Sequence, residues 1–153
     1  MSENHARIDY VEFMTLAPQA HAALLALGQA VDASGLEKTL TEIVKLRVSQ
    51  INGCAFCVQF HLGVARRLGM PQTKLDLLAA WRDAGVFSHR EKCALGWAEH
   101  LGDVTRPVAS EALYAALGDV FTPVEIVMLT TAIAAINAWN RLGVGLRFTP
   151  LPG

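Results

Sequence analysis

Apolar side chains return at three- and four-residue steps along most of the chain, a spacing that predicts a stack of amphipathic helices. A short helix is expected around Asp9 to Leu16, and Pro18 suits the first turn of a second that closes at Ser34-Gly35 after Ala33. Leu40, Ile43, Val44, Val48 and Ile51 mark a third over residues 37 to 52. Asn52-Gly53 ends it, glycine being suited to the left-handed residue past a helix end. A fourth begins near Cys54 and runs to Leu68, with Gly69 and Pro71 as stop signals. Pro71 opens a fifth through Leu75, Leu77, Leu78 and Trp81 to Ala84. Ser88, with Glu91 three residues on, forms a capping box for a sixth that carries Cys93, Leu95, Trp97 and Leu101. A shorter helix spans Pro107 to Leu117, and Thr122-Pro123-x-Glu125 opens the last long one, through Trp139 to about Leu142. The tail from Gly143, with two prolines, reads as irregular.

No segment offers a run of alternating β-branched residues, so the expected fold class is all-α, one domain over residues 1–153 with about seven or eight helices. One weak echo stands out: Glu42-Ile43-Val44-Lys45-Leu46 returns as Glu125-Ile126-Val127-Met128-Leu129, as a duplicated hairpin would, or two amphipathic helices by chance.

Composition adds a constraint on assembly. Hydrophobic residues make up 52% and charged residues only 18%, with a mean hydropathy of +0.32. That excess predicts apolar surface covered between subunits, hence a homo-oligomer. A net charge of −1 gives no basic footprint for nucleic acid or an anionic membrane surface. The longest apolar run, Ile126 to Ile136, is too short to span a bilayer and reads as a buried helix. The first residues, MSENHARIDY, lack the apolar stretch of a secretory leader, so the expected location is cytoplasmic.

The candidate chemistry lies in residues 42–69. Cys54 and Cys57 fall in the first turn of the fourth helix, and His61 follows one turn later on the same face. Glu42 lies about ten residues before the bend, roughly 15 Å at 1.5 Å per residue, which in an antiparallel hairpin brings it near the level of His61. A helix N-terminus or a nearby histidine lowers a thiol pKa, and the thiolate is the reactive form. Two cysteines one turn apart can close a disulfide after small adjustment. Redox chemistry is one reading of this set; metal binding and plain packing are the others. Zinc normally takes four protein ligands in a structural site, and a second Cys or His pair is absent. Attachment of a c-type haem needs histidine where Val58 stands, and a thioredoxin-like site needs a preceding strand. Elsewhere, His21 reads as a surface or capping residue, and Cys93 as core packing. Phe56, Phe60 and Trp81 are candidates to line an apolar entrance. Asn137 and Asn140, one turn apart on an apolar helix, need partners that the sequence does not name.

Glu42, Cys54, Cys57 and His61, with Asn52-Gly53 and the late Asn137-Ala-Trp-Asn140-Arg141, resemble the signature of the alkylhydroperoxidase D-like branch of the carboxymuconolactone decarboxylase family. The resemblance covers most of residues 20 to 145. It implies an all-helical fold that assembles as trimers or hexamers, and a peroxidase that uses neither metal nor other cofactor. In it Cys57 attacks the hydroperoxide and becomes a sulfenic acid, Cys54 condenses with it to a disulfide, and Glu42 and His61 form the proton relay. A thiol or lipoyl-protein reductant would close the cycle. The best characterised peroxidases of this branch resemble Cys-x-His-Cys, where this chain has Phe56. That departure motivates a second reading, a non-catalytic redox-sensing or assembly protein with a reversible disulfide.

Overall fold

Most of the helices start where the sequence supplies a cap. In a computed structural model, which describes residues 6–105 and 110–151, eight α-helices appear and no strand. They are α1 (Tyr10–Leu16), α2 (Pro18–Ala33), α3 (Lys38–Asn52), α4 (Ala55–Arg67), α5 (Gln72–Asp76), α6 (His89–Gly102), α7 (Glu111–Val120) and α8 (Pro123–Leu146). Asp9 caps α1, accepting from the Tyr10 amide. Ser88 and Thr122 close capping boxes with Glu91 and Glu125. Gly53 ends α3 at φ 69°, the left-handed geometry expected of it. The sulfur of Cys54 then caps α4, accepting from the Cys57 amide at 3.3 Å.

α3 is the hub. It packs on α4, α8 and α6, and from Leu40 to Leu46 every residue is buried. A helix enclosed on all sides cannot leave a charge unpaired, so Glu42 and Lys45 must find partners inside the protein. The main core forms around Ile43, Val44, Leu46, Leu78, Leu95 and Leu129. A smaller cluster of Phe13, Phe56 and Phe148 encloses the two cysteines.

Three segments differ from the reading of the sequence. The fifth helix is not continuous to Ala84: α5 stops at Asp76, and a 3-10 turn, Leu78–Ala80, follows. The buried side chains there are Leu75, Leu78 and Trp81, three residues apart, which suits the three-residue repeat of a 3-10 turn better than the 3.6 of an α-helix. α8 runs on to Leu146 rather than stopping near Leu142, and Arg147 in the left-handed region ends it. Of the helix expected from Pro107, residues 107–109 lie outside the described part, and α7 begins at Glu111 under a Ser110 cap.

The two ends of the described chain meet. Leu146 O accepts from the amides of Arg7 and Ile8, and Asp9 Oδ1 accepts from the Thr149 amide at 3.0 Å. This seam carries Phe13 and Phe148 onto the cysteine cluster.

Candidate active site

The hairpin of α3 and α4 brings together the four residues singled out in the sequence. Cys54 and Cys57 are joined as a disulfide, their Cα atoms 5.2 Å apart. One turn along α4, His61 Nδ1 lies 2.7 Å from Glu42 Oε2 across the hairpin. Glu42 Oε1 meets two ammonium groups, Lys45 Nζ at 3.2 Å and Lys38 Nζ at 3.3 Å. The two lysines were not picked out in the sequence, although a signal existed. They stand at i−4 and i+3 from Glu42, the offsets that share a helix face.

The electrostatics follow from these contacts. Burial alone pushes the Glu42 carboxyl up, but the hydrogen bond and charge of His61, with the charges of Lys45 and Lys38, outweigh it and hold the group at about 2. Glu42 is therefore ionised at neutral pH. With Nδ1 committed to Glu42, His61 has one nitrogen, Nε2, left for chemistry.

His61, Glu42 and Cys57 share the wall of a cavity of about 290 Å³. Its remaining walls are mostly apolar, with Phe56, Phe60, Leu24, Ile136 and Trp139 prominent. Phe56 and Phe60 thus lie where an apolar entrance was expected, their rings stacked at 6.5 Å. Trp81 does not: it is buried in the main core, donating from Nε1 to Glu99 Oε1 at 2.9 Å. Its three-residue register with Leu75 and Leu78 sends it to that core. Trp139 stands on the cavity wall instead.

His21 is buried rather than a surface or capping residue. Its Nε2 is 2.8 Å from the hydroxyl of Tyr10, and the rings of Tyr10, Phe13 and Trp139 surround it. Tyr10 itself reaches the cavity wall. Cys93 is half-buried against the main core, and burial pushes its thiol up, with a smaller contribution from the charge of Asp119.

Two further contacts fix the sulfurs in place. α8 passes so close to the disulfide that a Cβ on Gly143 would lie 2.6 Å from Cys54 Sγ. The paired asparagines of α8 find their partner in Asn52, whose Nδ2 donates to Asn137 Oδ1 at 2.9 Å and Asn140 Oδ1 at 3.0 Å. Asn140 Nδ2 in turn donates to Ser49 Oγ. The end of α3, and with it the Gly53-Cys54 turn, is thereby tied to α8.

Among the described residues no three His, Cys, Asp or Glu side chains converge as a set able to hold a metal ion. Nor is any described helix long and apolar enough to cross a membrane.

The profile of the carboxymuconolactone decarboxylase family matches residues 18–100. A Bacillus subtilis protein of uncharacterised role, YdfG, is 31% identical over 140 residues, covering 92% of this chain and 93% of its own. The chain belongs to the carboxymuconolactone decarboxylase family. Within that family it is alkylhydroperoxidase D-like. A crystal structure from Agrobacterium tumefaciens, of a protein of unknown function suggested to be the antioxidant defence protein AhpD, superposes with a TM-score of 0.90. It is 36% identical, covering 97% of this chain and all of the other. The debrominase Bmp8 shares the fold, with a TM-score of 0.82 at 16% identity over 92% of this chain and 76% of its own. In this family member Tyr10 lies outside the matched region, whereas Glu42, Cys54, Cys57 and His61 lie inside it.

Proposed function

We propose that the protein is a thiol-dependent peroxidase acting on organic hydroperoxides. The observation that carries this reading is that Cys57, His61 and an ionised Glu42 share one largely apolar cavity. In the reduced protein, His61 Nε2 takes the proton of the Cys57 thiol, while Glu42 holds the ring by Nδ1. The thiolate attacks the terminal peroxide oxygen: an S–O bond forms, the O–O bond breaks, and the alkoxide leaves with a proton as alcohol. The Cys54 thiol then attacks the sulfenic sulfur, forming the disulfide and releasing water. Cys54 lies beside Cys57 under Gly143 and Phe148, whereas Cys57 lines the cavity, which supports a resolving role for Cys54. An external thiol or lipoyl-protein dithiol supplies two electrons to restart the cycle. The steps call for no metal or other cofactor.

Free-thiol titration of reduced protein, before and after one equivalent of cumene hydroperoxide, tests this. Wild type loses two thiols per chain within seconds. Cys57→Ser loses none, and Cys54→Ser consumes one equivalent and stalls. Turnover by Cys57→Ser at the wild-type rate overturns the assignment.

The seam of the two chain ends over the disulfide favours a second reading, in which oxidation is read out as a change in contact with a partner. Slow peroxide reaction together with a redox-dependent change in oligomer size supports it. An unchanged size on oxidation counts against it.

A further inference from the structure

Attack on a peroxide runs along the O–O axis, so the oxygen that leaves lies on the side away from the sulfur. His61 stands one turn from Cys57 on the same helix, so the proton it takes from the thiol is held on the side of the attacking sulfur. A second donor on another part of the cavity wall suits the departing alkoxide.

The N-terminal segment brings a tyrosine to that wall. Tyr10 comes from α1, lines the cavity, and packs its ring 5.2 Å from Phe56, the residue next to Cys57. Its hydroxyl is 2.8 Å from His21 Nε2, and His21 is itself held among Phe13, Trp139 and Tyr10. Burial pushes the Tyr10 phenol up, so it carries its proton throughout the neutral range. With the His21 proton on Nε2, the Tyr10 oxygen accepts and its own O–H is free to donate.

Resting on the peroxidase reading above, we infer that Tyr10 is a catalytic residue, donating its proton to the leaving oxygen of the hydroperoxide, with His21 as the positioning residue that orients it. In the step, the S–O bond forms and the O–O bond breaks while the phenol proton passes to the alkoxide. The phenolate then takes a proton back from solvent, and His61 gives the thiol's proton up to solvent, so no net proton is gained or lost. The alcohol leaves along the apolar wall of Phe60 and Leu24.

The test is the leaving-group dependence of thiol oxidation in the reduced full-length protein. Rate constants are measured by stopped flow with tert-butyl hydroperoxide, whose leaving alkoxide is strongly basic, and with peracetic acid, whose leaving carboxylate needs no proton. Tyr10→Phe keeps the ring and its packing. The expected result is a fall in the ratio of the two rate constants, tert-butyl hydroperoxide over peracetic acid, of about tenfold to 100-fold, the scale of a lost general acid. His21→Gln shifts the ratio in the same direction by less. An unchanged ratio in Tyr10→Phe overturns the inference, whether both rates are normal or both fall together as after simple loss of fold. Wild type that oxidises with neither peroxide removes the peroxidase reading, and this one with it. Normal wild-type reaction with an unchanged ratio removes this one alone.

Discussion

Glu42 decides how this site responds to pH. Its carboxyl sits at about 2 against an ordinary 4.5, so the stability it contributes is fully present above about 4.5 and is lost as the pH falls toward about 2. The urea midpoint of the wild type should therefore fall across that window. Glu42→Gln should flatten the fall while slowing peroxide oxidation of Cys57 at neutral pH by about 100-fold, because His61 loses its charged partner. A steep acid limb retained in the variant would assign it to other depressed carboxyls such as Glu37 and Glu99. Gly143 has the opposite kind of importance, that of an absent side chain. Gly143→Ala forces a methyl against Cys54 Sγ and should cost about 1–3 kcal/mol in denaturant unfolding. Gly145→Ala meets nothing within 4 Å and should gain up to about 0.5 kcal/mol. Equal effects would show that α8 can yield at the disulfide. Glu42, the cysteines and His61 were legible in the sequence because one hairpin of fixed pitch holds them all. Gly143 was not, since its role depends on which distant helix crosses the sulfurs, and a glycine there reads as a helix end.

At the scale of elements, local signals carried far. The caps at Asp9, Ser88 and Thr122 and the left-handed Gly53 set helix ends that the structure reproduces to within a residue or two. They failed where the tertiary register ruled, as in the stretch after Pro71, whose apolar residues fit a helix by count but whose buried ones recur every three. His21 misled for a related reason: α1 folds back over α2 and encloses an imidazole that the sequence alone leaves at a helix start. The asparagine clamp is also a tertiary feature, joining positions 85 and 88 residues apart. Asn140→Leu should remove one of the two acceptors of Asn52 Nδ2 and the donor to Ser49 Oγ, costing about 1–2 kcal/mol. Thermal or urea unfolding of the variant measures this. A neutral result would mean that water replaces the lost partners.

At the scale of the molecule, apolar surface remains uncovered: Val124 and Val127 on α8 are 62% and 59% exposed, and Val11 and Leu16 on α1 are 71% and 64% exposed. Sedimentation equilibrium at micromolar concentration should give a multiple of the 16.5 kDa chain mass, three or six being the expected numbers. A monomer would leave these valines as ordinary surface scatter. The seam between residues 7–9 and 146–149 has a different consequence. It makes the described part of the polypeptide nearly a ring, whose clasp sets Phe13 and Phe148 against the sulfurs. Stitching that clasp shut with a short covalent bridge would leave the eight helices as they are while fixing both phenylalanines against the disulfide. Residues 7–9 and 146–149 are thus the place from which the packing around its sulfurs is set.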